Sequence, residues 1–163
     1  MRDNDTAVPR VARALCLQSG ILRKNPDLPK FLPEIQDFSG NAADAELVIG
    51  WGRKQTSSRA MAEAEVRGIP YIALEDGFLR SLDLGVNGES AVSLVVDRTG
   101  IYYDATCPSD LEALILQADG FCPELMHRAE VAIRSLHDHR LSKYNAAPDL
   151  PIWSAEKDRP RIL

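Results

Sequence analysis

A chain of 163 residues has room for one domain that buries roughly 70% of its unfolded surface, and 45% hydrophobic with 26% charged residues excludes disordered, collagen-like and coiled-coil architectures. Nineteen Lys plus Arg against 24 Asp plus Glu leave a net charge of −5, too acidic for the global basic field that holds nucleic acid. The three cysteines (Cys16, Cys107, Cys122) form no C-x-x-C pair and have apolar neighbours, the pattern of reduced thiols in the cytosol, and no apolar run approaches the ~18 residues of a membrane span.

The first half alternates short β-rich runs with helical stretches, the signature of βαβ units. Residues 11–17 read as a strand closing on Ser19-Gly20, followed by a polar, Pro-containing stretch and a short helix at about 28–32. Residues 46–50 form a second strand that closes on Trp51-Gly52. Ser57 or Ser58 then caps a helix to Arg67 whose inner face carries Ala60, Met61 and Ala64. Gly68 supplies the left-handed position that ends it, and Ile69-Pro70 prevents its continuation before a third strand at 71–74. The continuous apolar runs predict that Leu47, Val48, Ile49, Ile72, Ala73 and Leu74 lie buried in adjacent parallel strands of a three-layer α/β domain.

The second half changes character. Residues 92–96 and 101–103, joined by Asp97-Arg-Thr-Gly100, predict a hairpin beside the parallel sheet. Ser109 and Glu112 form a capping box at the start of a helix with Leu111, Leu114 and Ile115 on its apolar face. A second helix over 123–139 carries Leu125, Met126, Ala129, Ala132, Ile133 and Leu136 on one stripe, so the two helices are expected to pack together. The domain is expected to span 1–145, with 146–163 a Pro-rich linker and the start of a second domain that the chain lacks.

In open α/β sheets ligands bind beyond the carboxyl ends of the strands, where Ser19-Gly20, Trp51-Gly52 with Lys54, and Glu75-Asp76-Gly77 should converge. Glycines there let a ligand approach the backbone, and a sugar phosphate or carboxylate suits such an edge. None of these turns matches a dinucleotide or P-loop fingerprint. Two adjacent acids directly after a buried strand are costly unless paired or used. One of Glu75 and Asp76 could satisfy Arg80 while the other addresses a ligand hydroxyl or moves a proton; alternatively Asp76 caps a helix neutralised by Arg80. Tyr102 reads as packing, and Tyr103 is open to sugar stacking. His137 and His139, two apart on a helix, do not share a face and make no metal pair. No metal site is expected.

Taken in order, Gly50-Trp51-Gly52-Arg-Lys54, the run from Leu74 through Glu75-Asp76-Gly77-Phe78-Leu79-Arg80-Ser81 to Leu82, Ser93-Leu-Val-Val-Asp97, Gly100-Ile-Tyr-Tyr-Asp104, Pro108-Ser109-x-Leu111-Glu112 and Ser142-Lys-Tyr-Asn145 resemble the KpsC-type capsular polysaccharide biosynthesis proteins. The resemblance covers about residues 19–145. It implies a Rossmann-like domain similar to the N-terminal, acceptor-side half of a GT-B module. The family's activity is that of a retaining β-Kdo glycosyltransferase, which uses CMP-Kdo to build a short oligo-Kdo linker on a phosphatidylglycerol-type lipid for capsule attachment. The implied partners are a Kdo-bearing phospholipid acceptor, the nucleotide-binding domain this chain lacks, and the capsule assembly machinery at the inner membrane. The implied location is cytoplasmic and peripheral to that membrane. Glu75 and Asp76 are the candidate catalytic carboxylates, with a main nucleophile expected past Leu163; Ser19, Gly20, Trp51, Gly52, Lys54, Arg80, Ser81 and Tyr103 are the candidate substrate contacts. The chain by itself is expected to be inactive. The competing reading is a non-catalytic module that binds carbohydrate or a lipid headgroup.

Overall fold

The structure is a computed structural model that describes residues 11–41, 43–81, 89–117 and 120–143. Among these residues, five strands form one sheet in the order β2-β1-β3-β4-β5. These are β1 (Val11–Leu15), β2 (Ile35–Ser39), β3 (Leu47–Trp51), β4 (Tyr71–Asp76) and β5 (Leu94–Asp97). The first four run parallel, and β5 joins β4 antiparallel. Between them lie α1 (Ser19–Lys24), α2 (Leu28–Phe31) and α3 (Ser58–Arg67), followed by α4 (Asp110–Leu116) and α5 (Pro123–Asp138).

Successive strand residues point to opposite faces, and the core divides accordingly. Ala14, Cys16, Leu47, Ile49, Ile72 and Leu74 pack with Ile21 of α1 and Leu28 of α2. Leu15 and Val48 pack on the other face with Ala60 and Ala64 of α3. The sheet is thus the middle of three layers, as the apolar runs predict. Leu47, Val48, Ile49, Ile72, Ala73 and Leu74 are all buried in adjacent parallel strands, each of the larger ones contributing about 1.5–3 kcal/mol. Ala60 and Ala64, four apart, let α3 lie close to the sheet, and Gly68 closes the helix at φ 64°.

Because α1 leaves β1 toward one face and α3 leaves β3 toward the other, the winding reverses between β1 and β3. A crevice outside the carboxyl ends of those strands is where doubly wound sheets bind ligands.

Two expectations are corrected, and β2 is an element that the sequence reading does not assign. Its sequence, Ile-Gln-Asp-Phe-Ser, buries only Ile35 because, among the described residues, it is an edge strand paired with β1 alone.

Residues 101–103 do not pair with 92–96. Asp97 is buried, and its Oδ1 accepts from the amides of Thr99 and Gly100 while Oδ2 accepts from Asp110. This side-chain turn steers the chain toward α4, so β5 pairs with β4 instead.

Ser109 does cap α4, accepting from the Glu112 amide at 3.1 Å. But neither α4 nor α5 buries a residue, and Ile115, Leu116 and Ile133 are 63%, 80% and 65% exposed, so the two apolar stripes do not form a shared core. Residues 146–163, assigned to a linker and a second domain, lie outside the described residues. Among the described residues no helix is long and apolar enough to cross a membrane.

Candidate functional site

Trp51 ends β3, and its indole Nε1 donates to Glu75 Oε1 at 3.0 Å across the neighbouring strand. The Glu75 side chain is only 12% exposed, and its Oε2 is buried without a hydrogen bond. The Lys54 ammonium stands 3.9 Å from that oxygen and 5.2 Å from the centre of the Tyr103 ring. It thereby combines an ion pair with a cation–π contact while remaining largely in solvent.

The segment between Trp51 and Lys54 is fixed from several sides. Tyr71 Oη donates to the Gly52 carbonyl at 2.6 Å, and the Arg53 amide donates to Tyr103 Oη at 3.2 Å. Gly52 has φ 62°, and a Cβ there would overlap the Tyr103 hydroxyl and lie 3.4 Å from Glu75 Oε2. Only glycine meets both the left-handed backbone and the close approach of the tyrosine. Burial pushes the Tyr71 phenol up from its ordinary range. Next to the cluster, hydrogen bonds from the Thr106 hydroxyl and amide hold the Asp104 carboxyl below its ordinary range, and Arg53 lies 3.9 Å from that carboxylate.

Glu75 and Asp76 are the last two residues of β4, not the start of a loop, and they pair with Val95 and Leu94 of β5. Alternation along the strand sends their side chains different ways. Asp76 Oδ1 accepts from Arg80 Nε at 2.7 Å, and Arg80, only 5% exposed, also donates to Ser81 Oγ at 2.7 Å and to the Glu89 carbonyl at 3.1 Å. The backbone of Arg80 donates to the Lys143 carbonyl, which brings the segment after α5 to this edge. No helix begins at Asp76, so the capping role considered for it falls away. Its carboxylate is committed to an internal ion pair.

The candidate residues therefore separate into two groups. Trp51, Gly52, Lys54, Glu75 and Tyr103 form one cluster, in which the Glu75 Oε2 has an ion-pair partner but no hydrogen bond; Asp76, Arg80 and Ser81 form an adjoining bolt. Ser19 is exposed and Gly20 half-buried at the start of α1. The turn residue that reaches β3 is their neighbour Gln18, whose Oε1 accepts from the Trp51 amide at 2.9 Å and whose Nε2 donates to the Thr56 carbonyl at 3.0 Å. Sequence reasoning missed Gln18, and also Tyr71 as a clamp on Gly52; an amide or a strand tyrosine carries no local mark of its distant partner. Among the described residues no group of three His, Cys, Asp or Glu is placed to hold a metal ion.

This geometry defines a doubly wound, Rossmann-like α/β domain with a carboxylate, lysine and aromatic cluster at the carboxyl edge of its sheet. A family model described as capsule polysaccharide biosynthesis protein matches residues 46–152, and the chain belongs to that family. The capsule polysaccharide modification protein LipA of Neisseria meningitidis serogroup A is 45% identical over 165 residues, 99% of this chain and 23% of LipA. The chain thus spans about a quarter of that relative's length. Among solved structures, the Thermosulfurimonas dismutans KpsC β-Kdo 2,4 transferase superposes with a TM-score of 0.79 at 40% identity, covering 92% of this chain and 46% of that one. The β-Kdo 2,7 transferase of the same KpsC gives 0.53 at 27% identity, covering 78% and 43%. The KpsC-type character of the chain and its place in the capsule polysaccharide biosynthesis family follow from these matches.

Proposed function

We propose that this chain is the acceptor-side domain of a retaining β-Kdo transferase of GT-B architecture, which builds the oligo-Kdo linker on a phosphatidylglycerol-type lipid from CMP-Kdo. Its greater similarity to the β-Kdo 2,4 transferase than to the 2,7 transferase favours the 2,4 linkage. The observation that carries the reading is the buried Oε2 of Glu75, an acceptor without a hydrogen bond, beside the exposed ammonium of Lys54.

A sugar hydroxyl donates to Glu75, Lys54 attracts an anionic group on the same ligand, and the Trp51 and Tyr103 rings wall the site. Asp76 holds Arg80 and leaves the chemistry to other carboxylates. The nucleotide-binding domain, a further nucleophile and the capsule assembly machinery at the cytoplasmic face of the inner membrane complete the system. No metal takes part in this scheme.

Orientation of reactants supplies up to about 7–11 kcal/mol of barrier lowering, and one wall of the cleft does not provide it. The test is transfer from CMP-Kdo to a Kdo-lipid acceptor by this chain and by a chimera continued with the corresponding remainder of the KpsC module. Transfer by the chimera and none by the chain alone supports the proposal. Steady turnover by the chain alone overturns it, and sugar binding with no transfer by either protein replaces it with the non-catalytic binding module.

A further inference from the structure

Along β3 the backbone amides alternate in direction. Those of Val48 and Gly52 point toward β4, donating to the Pro70 and Leu74 carbonyls. The amide of Trp51, one residue out of step, therefore points toward β1. But β1 ends at Leu15, paired with Val48, and supplies no carbonyl at the level of Trp51.

The carboxamide of Gln18 fills that place. Its oxygen accepts from the Trp51 amide and its nitrogen donates to the Thr56 carbonyl, so that one side chain presents the acceptor and donor of a peptide group. We infer that Gln18 is a positioning residue that continues the β1–β3 ladder beyond the end of β1 and thereby fixes the Trp51 indole against Glu75. The inference rests on reading the Glu75 edge as the ligand-facing site.

The consequence concerns where a ligand can lie. The crevice at the reversal of winding, between β1 and β3, is bridged by the Gln18 amide. The next crevice along the sheet, between β3 and β4, holds Lys54 and the Glu75 oxygen that lacks a hydrogen bond. On the reading of the Glu75 edge as the ligand-facing site, the ligand lies one strand away from the usual place for this fold. Trp51 is the link, because its amide is held by Gln18 and its indole holds Glu75.

The test is made on this chain carrying Trp153→Phe, so that Trp51 is the sole tryptophan fluorophore of the two in the sequence. Gln18→Met keeps the length and removes both hydrogen bonds; Gln18→Glu keeps the acceptor for Trp51 and removes the donor to Thr56. In folded protein, Gln18→Met should shift Trp51 emission to the red and increase its quenching by acrylamide, while Gln18→Glu keeps the parent emission. Parent-like emission and quenching in folded Gln18→Met overturn the inference, as does a red shift in folded Gln18→Glu.

If neither variant folds, amide hydrogen exchange of the unsubstituted chain decides. Protection of the Trp51 amide supports the clamp, and exchange at the rate of an unstructured amide overturns it. None of these readouts uses a sugar, so failure of the clamp is distinguishable from failure of the transferase reading.

Discussion

The indole nitrogen of Trp51 donates to Oε1 of Glu75 at 3.0 Å, joining the carboxyl ends of two neighbouring parallel strands and leaving Oε2 of the same carboxylate without a hydrogen bond. A buried carboxylate oxygen of this kind is ordinarily satisfied by protein or water. In an open sheet edge it is the natural receiver of a ligand's hydroxyl.

Glu75 and Asp76 should therefore respond oppositely to amide substitution. Glu75→Gln retains the shape and an oxygen for the Trp51 indole, so melting should change little while transfer by the KpsC chimera falls. Asp76→Asn removes the charge opposite Arg80, and loss of one partner from a pair this buried should lower stability by about 3 kcal/mol. Denaturant unfolding and transfer rate measured on the same samples distinguish the two.

Gly52→Ala places a Cβ on the Tyr103 hydroxyl and forces a left-handed backbone on alanine, which costs about 1–2 kcal/mol before the overlap is counted. Adding Tyr103→Phe removes the overlap but not the backbone term. Thermal unfolding of the single and double variants should show partial rescue, a non-additivity expected of residues in contact.

Alkaline stability should report on Cys16. Burial pushes its thiol up to about 11 from an ordinary 9.0. A raised folded-state value means that the stabilisation is fully present below pH 9 and is lost as the pH rises through 11, because the unfolded chain releases its proton first. Tyr71, raised by burial as well, acts in the same direction. Melting curves across that window should fall steadily, and Cys16→Ala should make the fall shallower without abolishing it.

The exposed stripes of α4 and α5 yield a contrasting expectation. Leu116→Ser and Ile133→Ser remove apolar surface that the folded chain leaves in water, so each should change unfolding free energy by no more than about 0.5 kcal/mol. Ile49→Ser, buried in β3, should prevent stable folding. A loss of several kcal/mol at Ile133 would mean that α5 packs on the core.

The sequence by itself determined the β3-α3-β4 unit, because the signals that specify it are local. These are two uninterrupted apolar runs, alanines spaced at four, and a glycine where the helix must end. The Ser109 cap was legible for the same reason, since its partner lies three residues away. The residues of the edge cluster were legible as strand ends, and the family resemblance lay in their order along the chain. Only the tertiary structure decided that residues 35–39 form an edge strand, since one neighbour and one buried residue leave little hydrophobic pattern. Pairing of β5 with β4 was likewise hidden, because it depends on a buried Asp97 whose carboxylate bonds residues as distant as Asp110. The choice between Glu75 and Asp76, and the part taken by Gln18, depend on which side chains neighbouring strands bring within about 3 Å, the reach of a hydrogen bond, of partners 4 to 38 residues away in sequence. Adjacency along the chain specifies the strand; alternation across the sheet, and the strand that lies beside it, select which carboxylate stays available.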